Sequence, residues 1–330
     1  MKLFVYEHIT SGALTGQDLP QSLAHEGDAM LTAILQDLAE IPQLELVILR
    51  DVRLQAIAKL NNDISLDYLW VSSSSSFDQQ WQQALSIAEH SLLIAPETEQ
   101  QLISIQQQVI DSGKRYLGCS QHATALTTDK LDCFQLLTSH GITTPTTKLA
   151  TDWHLADFNY ATSFIVKPVD GAGCIDTMHF QTPQQVSRYL EQQPEPKLSK
   201  LIVQPFIVGE AASLSLFIDE TVSVLALNGQ QISQQGSQLI CTSSNTNNTL
   251  LAKLPLNQAQ ELVDRIFDII PGLWGFVGID LILSASGPVV IEINPRLTTS
   301  YLNLKSTLTN NPAELLINAI PKQIASRFAS

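Results

Sequence analysis

Apolar residues recur along this chain in two rhythms. In the first third, short continuous runs alternate with stretches of helical spacing. Lys2 to Tyr6 and Leu44 to Leu49 predict buried strands, with a helix over Glu26 to Glu40 between them. Tyr68 to Val71 and Ser91 to Ala95 predict further strands, Phe77 to Glu89 and Thr98 to Ser112 predict helices, and Gly113 supplies a C-terminal stop. Tyr116 to Ser120 reads as a last strand of this region, and Thr128 as the N-cap of a helix over residues 129–140 that Gly141 ends. Such alternation is the signature of a parallel sheet with covering helices.

After the proline-bearing stretch Thr143 to Thr147 the rhythm changes to strands: FIVKP, LIVQP, ASLSLFID, TVSVLALN, QLICT, and then WGFVGIDLIL paired with VVIEIN. Helices are predicted only at Pro183 to Gln192 and Asn257 to Ile270. The expected fold is therefore α/β at the N-terminus followed by α+β, arranged as two lobes around a site.

Composition narrows the chemistry. The chain has 330 residues, 44% hydrophobic and 15% charged, enough to bury a large core. Its 32 acidic against 18 basic side chains give a formal charge of -14, which disfavours nucleic acid, since phosphate backbones require clustered Lys and Arg. The four cysteines form no CxxC pair, the seven histidines no HExxH, and no GxSxG occurs, so zinc and serine-nucleophile hydrolysis lack support. The apolar stretch Leu3 to Tyr6 is too short for a secretory leader, and no run approaches the roughly 18 residues of a membrane span. A cytoplasmic protein without membrane or nucleic-acid partners is expected.

Three segments carry chemistry. GIDLILSASGPVVIEINPR, Gly278 to Arg296, reads as a hairpin turning near Ser286, so that Asp280 and Glu292 face each other and Asn294 shares their face, while Ile279, Leu281, Ile291 and Ile293 bury the other. Two carboxylates so close repel, and a hard divalent cation compensates, magnesium above all where phosphate adds oxygens; a plain solvent-facing acidic hairpin is the alternative for the carboxylates alone. In FIVKPVDGAGCID, Lys167 leaves an apolar strand and meets Gly171 and Gly173, whose backbone admits phosphate oxygens; an ordinary surface turn is the alternative. In LIVQPFIVGE, a buried strand stops at Gln204 and Pro205, leaving backbone groups near Ile207 for a purine edge and Glu210 for ribose hydroxyls, or simply an edge strand that bends.

The order of these features, Lys130, then Lys167 with its glycine loop, then QPFIVGE, then Asp280 with eleven residues between it and ExNPR, resembles the ATP-grasp superfamily over about residues 116–300. The resemblance implies a pre-ATP-grasp domain over 1–115, a central grasp subdomain over 116–200 and a C-terminal one over 201–330. It implies ATP held by Lys130 and Lys167 at the phosphates, Gln204 and Ile207 at adenine and Glu210 at ribose, although many relatives carry glutamate where Gln204 stands. Asp280, Glu292 and Asn294 would hold magnesium, with manganese able to replace it. The activity implied is ADP-forming ligation of a small-molecule carboxylate to an amine through an acyl phosphate, with Arg296 and Lys167 catalytic and a homodimer admissible. The flanking strings YEHITSGAL and NPRLTTSY are similar to tyramine–glutamate ligases of methanofuran-type cofactor biosynthesis, which adds Glu7, Ser11, Thr298, Thr299 and Ser300 as substrate residues. Other amino-acid or D-alanine ligases, a phosphotransferase and a non-catalytic nucleotide-binding protein are the rivals.

Overall fold

The computed structural model describes residues 1–57, 60, 64–171 and 173–327. Its strands are β1 Lys2–Glu7, β2 Glu45–Asp51, β3 Leu66–Val71, β4 His90–Ile94, β5 Arg115–Tyr116, β6 Lys148–Leu149, β7 Phe164–Pro168, β8 Met178–Phe180, β9 Leu201–Pro205, β10 Glu210–Ile218, β11 Val222–Gln235, β12 Gln238–Thr246, β13 Gly275–Ser284 and β14 Gly287–Asn294. Helices are α1 Gln21–Leu38, α2 Ser74–Ile87, α3 Gln101–Asp111, α4 Gln121–Thr128, α5 Lys130–Ser139, α6 Pro183–Glu191, α7 Glu195–Leu198, α8 Leu256–Ile269, α9 Leu304–Thr307 and α10 Pro312–Arg327.

The continuous apolar runs β1, β2 and β4 sit inside a parallel sheet ordered β3-β2-β1-β4-β5. The chain moves outward in one direction from β1 through β2 to β3 and in the other through β4 to β5, so a crevice opens beyond the carboxyl ends of β1 and β4, where ligands of such sheets collect. Helix α1 starts earlier than the apolar period predicts, at Gln21, because its first buried positions are the small residues Ala24 and Gly27. Smallness at Gly27 is required: a Cβ there would lie 2.5 Å from the Glu7 carboxyl carbon.

Two local expectations are corrected. The fifth strand pairs only at Arg115–Tyr116, and Ser120 instead caps α4 by accepting from the Ala123 amide. Helix α4 itself was not legible, because QHATALTT lacks an apolar stripe. The cap of α5 is Asp129, whose carboxylate accepts from the Leu131 and Asp132 amides; Thr128 closes α4.

A mixed set of antiparallel pairs builds the remaining sheet, ordered β14-β13-β10-β11-β12-β8-β7-β9-β6. It is two lobes joined where β12 touches β8 at Gln238 and Met178. The first lobe runs past the expected boundary at residue 200, since β9 pairs with β7 and β6. The helices that open the expected central segment pack on the second lobe, where Ala123, Cys133 and Leu137 share a core with Leu214, Val263 and Ile279. The chain's last described helix returns to the first domain, Leu316 and Ala319 packing into the cluster that holds Leu31 and Leu35. No helix of the described residues is long and apolar enough to cross a membrane.

Gly27→Ala is expected to lower stability by about 1–3 kcal/mol through the collision with Glu7. Adding Glu7→Ala should make the second change less harmful than it is alone, a coupling readable in the melting temperatures of the two single variants and the double.

Candidate active site

The β13–β14 hairpin turns at Ala285 and Ser286, with Ser284 opposite Gly287 and its hydroxyl donating to the Gly287 carbonyl at 2.8 Å. Counting back from a two-residue turn would set Asp280 against Ile291 and leave Glu292 on the wrong face. A bulge between Asp280 and Leu281 moves the register by one, so that Asp280 opposes Glu292 and Leu281 opposes Val290. The expected carboxylate pair is present. Ile291, expected in the core, is the residue displaced, and Val290 is buried in its place.

Around this pair the structure gathers polar groups from distant elements. Asn294 donates to Asp280 Oδ2 at 3.3 Å and Gln230 of β11 donates to Oδ1 at 2.9 Å. Lys130, buried at the start of α5, lies 3.3 Å from Glu292 Oε1 and donates to the Gly171 carbonyl, which ties the glycine loop to the hairpin. Lys167 is buried on β7 with no hydrogen-bond partner for its ammonium among the described residues. Burial, then the neighbouring Lys130 charge, brings Lys167 down to about 8. Burial, then Glu292, pushes the Asp280 carboxyl up to about 7 against the bonds from Asn294 and Gln230. Among the described residues no three His, Cys, Asp or Glu come together. The set is two carboxylates and an amide, oxygen donors carrying surplus negative charge, which suits a hard cation that completes its shell with phosphate oxygens.

The loop after β7 has left-handed backbone at Gly173, Cys174 and Asp176. At Gly173 the φ of 62° is why glycine serves there, since a Cβ would meet open space and only the backbone would be strained.

Beside the hairpin lies a cleft of about 650 Å³ between the lobes, lined among others by His179, Phe206, Ile207, Glu210, Gln230 and Ile282. Ile207 and Glu210 stand where the sequence suggests. Glu210 is exposed and paired with Lys253 at 2.5 Å. Gln204 is buried and gives its amide to Thr147 Oγ1 at 2.8 Å, away from the residues that line the cleft.

At the other end of the hairpin, Arg296 reaches the first domain and donates to Glu97 Oε2 at 2.8 Å. Glu97, just past β4, was missed, although the rule that ligands gather beyond strand ends at a reversal of strand order applies to it directly. Gln230 offered no cue, being one glutamine of several on a polar strand. Glu7 and Ser11 belong to the turn itself: the Glu7 carboxylate accepts from the Ile9 and Thr10 amides, and the Ser11 hydroxyl donates to the His8 carbonyl. Burial raises Glu7 above the ordinary carboxylate range against those bonds. Both are closed off from the crevice. Thr298 packs on Gly278, where a Cβ would come within 2.8 Å of its methyl group, Thr299 opens the following turn, and Ser300 is buried against the Ser213 hydroxyl at 3.2 Å.

A family model for the ATP-grasp domain matches residues 127–300, more than half of the chain, and one for the pre-ATP-grasp 3 domain matches 44–124. The chain belongs to the ATP-grasp family. This ATP-grasp chain is of the carbon–nitrogen ligase kind. It is 26% identical over 301 residues to the tyramine–L-glutamate ligase of Methanocaldococcus jannaschii, covering 90% of this chain and 83% of that one. To the D-alanine–D-alanine ligase of Francisella tularensis subsp. novicida it is 22% identical over 196 residues, covering 58% and 65%. Among solved structures, an ATP-grasp superfamily protein from Archaeoglobus fulgidus superposes with a TM-score of 0.67 at 23% identity, covering 97% of this chain and 88% of the other. A D-alanine–D-alanine ligase from Bacillus anthracis complexed with ATP superposes at 0.61 and 14% identity, covering 100% and 99%.

The carboxylate pair of this ATP-grasp site has a consequence for stability. The folded protein holds the Asp280 proton up to about 7, whereas the unfolded chain releases it near 3.8. Between those values the folded state binds more protons, so stability falls as pH rises through the window. In chelator-treated protein Asp280→Asn should therefore melt above wild type at about pH 8, with the advantage shrinking as pH falls towards 4. Equal melting at the higher pH would remove the raised carboxyl from the account.

Proposed function

We propose that this chain activates the γ-carboxylate of L-glutamate with ATP and passes it to an aromatic amine, tyramine or its relative tyrosine. The observation that carries the ligation chemistry is the paired Asp280 and Glu292 with Asn294 on one rigid hairpin, faced by the buried Lys130 and Lys167. The substrate assignment is supported by the similarity to the tyramine–L-glutamate ligase along 90% of the chain. The similarity to D-alanine–D-alanine ligases covers a shorter share and makes amino-acid ligation of that kind the second reading.

The acid's γ-carboxylate oxygen attacks the terminal phosphorus of ATP and ADP leaves; the neutral amine nitrogen then bonds to the acyl carbon, and phosphate departs as that nitrogen gives up one proton and keeps the other as the amide N–H. Bound magnesium would neutralise and orient the phosphates. Asp280, Glu292 and Asn294 would hold it. Lys130 and Lys167 carry positive charge to the same place, so the protein's contribution to the first step is positioning and charge compensation. The glycine loop around Gly171 and Gly173 would lie over the phosphates, its carbonyl already tied to Lys130. The base would rest against Phe206 and the backbone of Ile207, with Glu210 beside the sugar and Gln204 bracing the strand end through Thr147. Arg296, held from the first domain by Glu97, would orient the carboxylate and its tetrahedral intermediate, beside Thr298 and Thr299.

Glu292→Ala should abolish ADP formation, a loss of a hundredfold or more being on the order expected when a group stabilising transition-state charge is removed. Its circular dichroism should match wild type. Gly173→Val should raise phosphate release relative to amide formation, because a strained lid exposes the acyl phosphate to water; an unchanged ratio of phosphate to amide would make the loop purely structural.

The substrates are tested with purified protein, ATP, magnesium and glutamate offered tyramine, tyrosine, phenethylamine or D-alanine, read by product mass and ADP. γ-Glutamyl amide is expected with a phenolic amine. Product with D-alanine alone would replace this assignment by the second reading, and ADP release needing no amine would point to a phosphotransferase.

A further inference from the structure

One turn of the first domain touches both halves of the site. Residues 97–100 join β4 to α3, and the turn is rooted where the Leu102 amide donates to the Pro96 carbonyl at 3.1 Å. From this turn Glu97 takes the Arg296 guanidinium at 2.8 Å. Two residues on, the Glu99 amide donates to Asp170 Oδ2 at 2.8 Å. Asp170 immediately precedes Gly171 in the glycine loop after β7, a residue to which the motif gives no task.

The backbone of the turn is unusual. Glu99 and Gln100 are both left-handed, with φ of 55° and 58°, and neither is glycine. Such strain persists only where the surrounding structure fixes it, and it gathers at functional turns. Both side chains are exposed, so burial of apolar surface does not explain the conformation. A residue's φ helps to set where its own amide points, and the left-handed Glu99 points its N–H at Asp170. The loop is gripped from a second element as well: Lys130 donates from its backbone to the Val169 carbonyl at 3.0 Å and from its ammonium to the Gly171 carbonyl. Residues 169–171 are thus fixed from α5 through two carbonyls and from the first domain through the carboxylate between them. A free carboxylate in a loop meant for phosphate would repel its ligand. A backbone donor restrains it through a charge-assisted bond.

We propose that Asp170 is a positioning residue: seated on the Glu99 amide, it registers the glycine loop to the same strained turn whose Glu97 holds Arg296, and so couples ATP consumption to amide formation. This rests on the ligase reading of the site. With the seat in place, the loop over the phosphates and the arginine that orients the carboxylate share one support, and the acyl phosphate forms where water is excluded. Without it the loop keeps only its tie to α5. Water then attacks the acyl phosphate, returning the acid and inorganic phosphate with no amide made.

The experiment compares wild type, Asp170→Ala and Asp170→Asn for phosphate released per amide formed, with ATP, magnesium, acid and amine. Asp170→Ala should raise that ratio by roughly tenfold, the scale of one hydrogen bond to a charged group, with KM for ATP changing much less. Asp170→Asn retains an oxygen that accepts from the Glu99 amide and should recover most of the coupling, which a role in stability alone would not require. Hydrogen exchange read on peptides covering residues 97–102 should slow when ATP and magnesium are added to wild type, and respond much less in Asp170→Ala. A ratio unchanged in Asp170→Ala overturns the inference while leaving the ligase reading standing. Exchange that bound nucleotide leaves unaltered in wild type overturns it as well, whatever the enzyme makes. Wild type that forms no amide with any acid and amine overturns the ligase reading itself, and the inference with it.

Discussion

Two carboxylates held face to face on a rigid hairpin repel, and most polar groups near the centre of this molecule answer that repulsion. Asp280 and Glu292 are cross-strand partners, and Asp280 is pushed up to about 7 by burial and by its neighbour. Asn294 comes from the same hairpin, Gln230 from β11, Lys130 from α5 and Lys167 from β7. Apart from Asn294 each lies on a different part of the chain, so the carboxylate pair is where both lobes and α5 converge. Lys130 carries the connection further, because its bond to the Gly171 carbonyl sets the glycine loop over the same spot.

The second convergence is between the first domain and the grasp. Arg296, two residues beyond Asn294, ends at Glu97 past β4, at the place where the parallel sheet reverses its strand order. A little further on, the Tyr301 hydroxyl donates to Asp37 at 2.9 Å and Lys305 pairs with the same carboxylate, tying the stretch after the hairpin to α1. Helix α10 then packs into the first domain's own core. The crevice and the carboxylate pair are thereby parts of one construction.

The cleft between the lobes depends on close backbone approach as well as charge. Gly209 is where the chain passes from the first lobe to the second, and a Cβ there would come within 2.6 Å of the Leu283 carbonyl oxygen. Beyond it the β11–β12 hairpin returns to β8, where its tip accepts the His179 amide and closes the far side of the cleft. The stacked His179 and Phe206 rings on that side of the cleft are products of this closure.

Much was legible before any fold was known. Continuous apolar runs mark the parallel sheet, and the later strand runs mark the lobes, because hydrophobic period follows directly from which faces must be buried. Asp280, Glu292 and Asn294 were legible as a set through the period of two along a strand, and Lys130 and Lys167 through their order in the chain. Helix α4 was hidden because its burial is supplied by small residues and threonines, and the place of β9 in the first lobe because its pairing with β7 and β6 joins segments far apart in sequence. Pairing Asp280 with Glu292 took a bulge, which depends on the backbone of both strands and not on either sequence alone. Glu7 reads as a substrate residue by resemblance, and the fold presses it against Gly27 and its own turn, while Glu97 acquired its partner from a residue far along the chain. Period and composition are properties of neighbours in sequence, so the sequence by itself determined the elements, their faces and the chemistry available; register, satisfied bonds and long-range partners are properties of neighbours in space, so only the tertiary structure decided which of those groups meet.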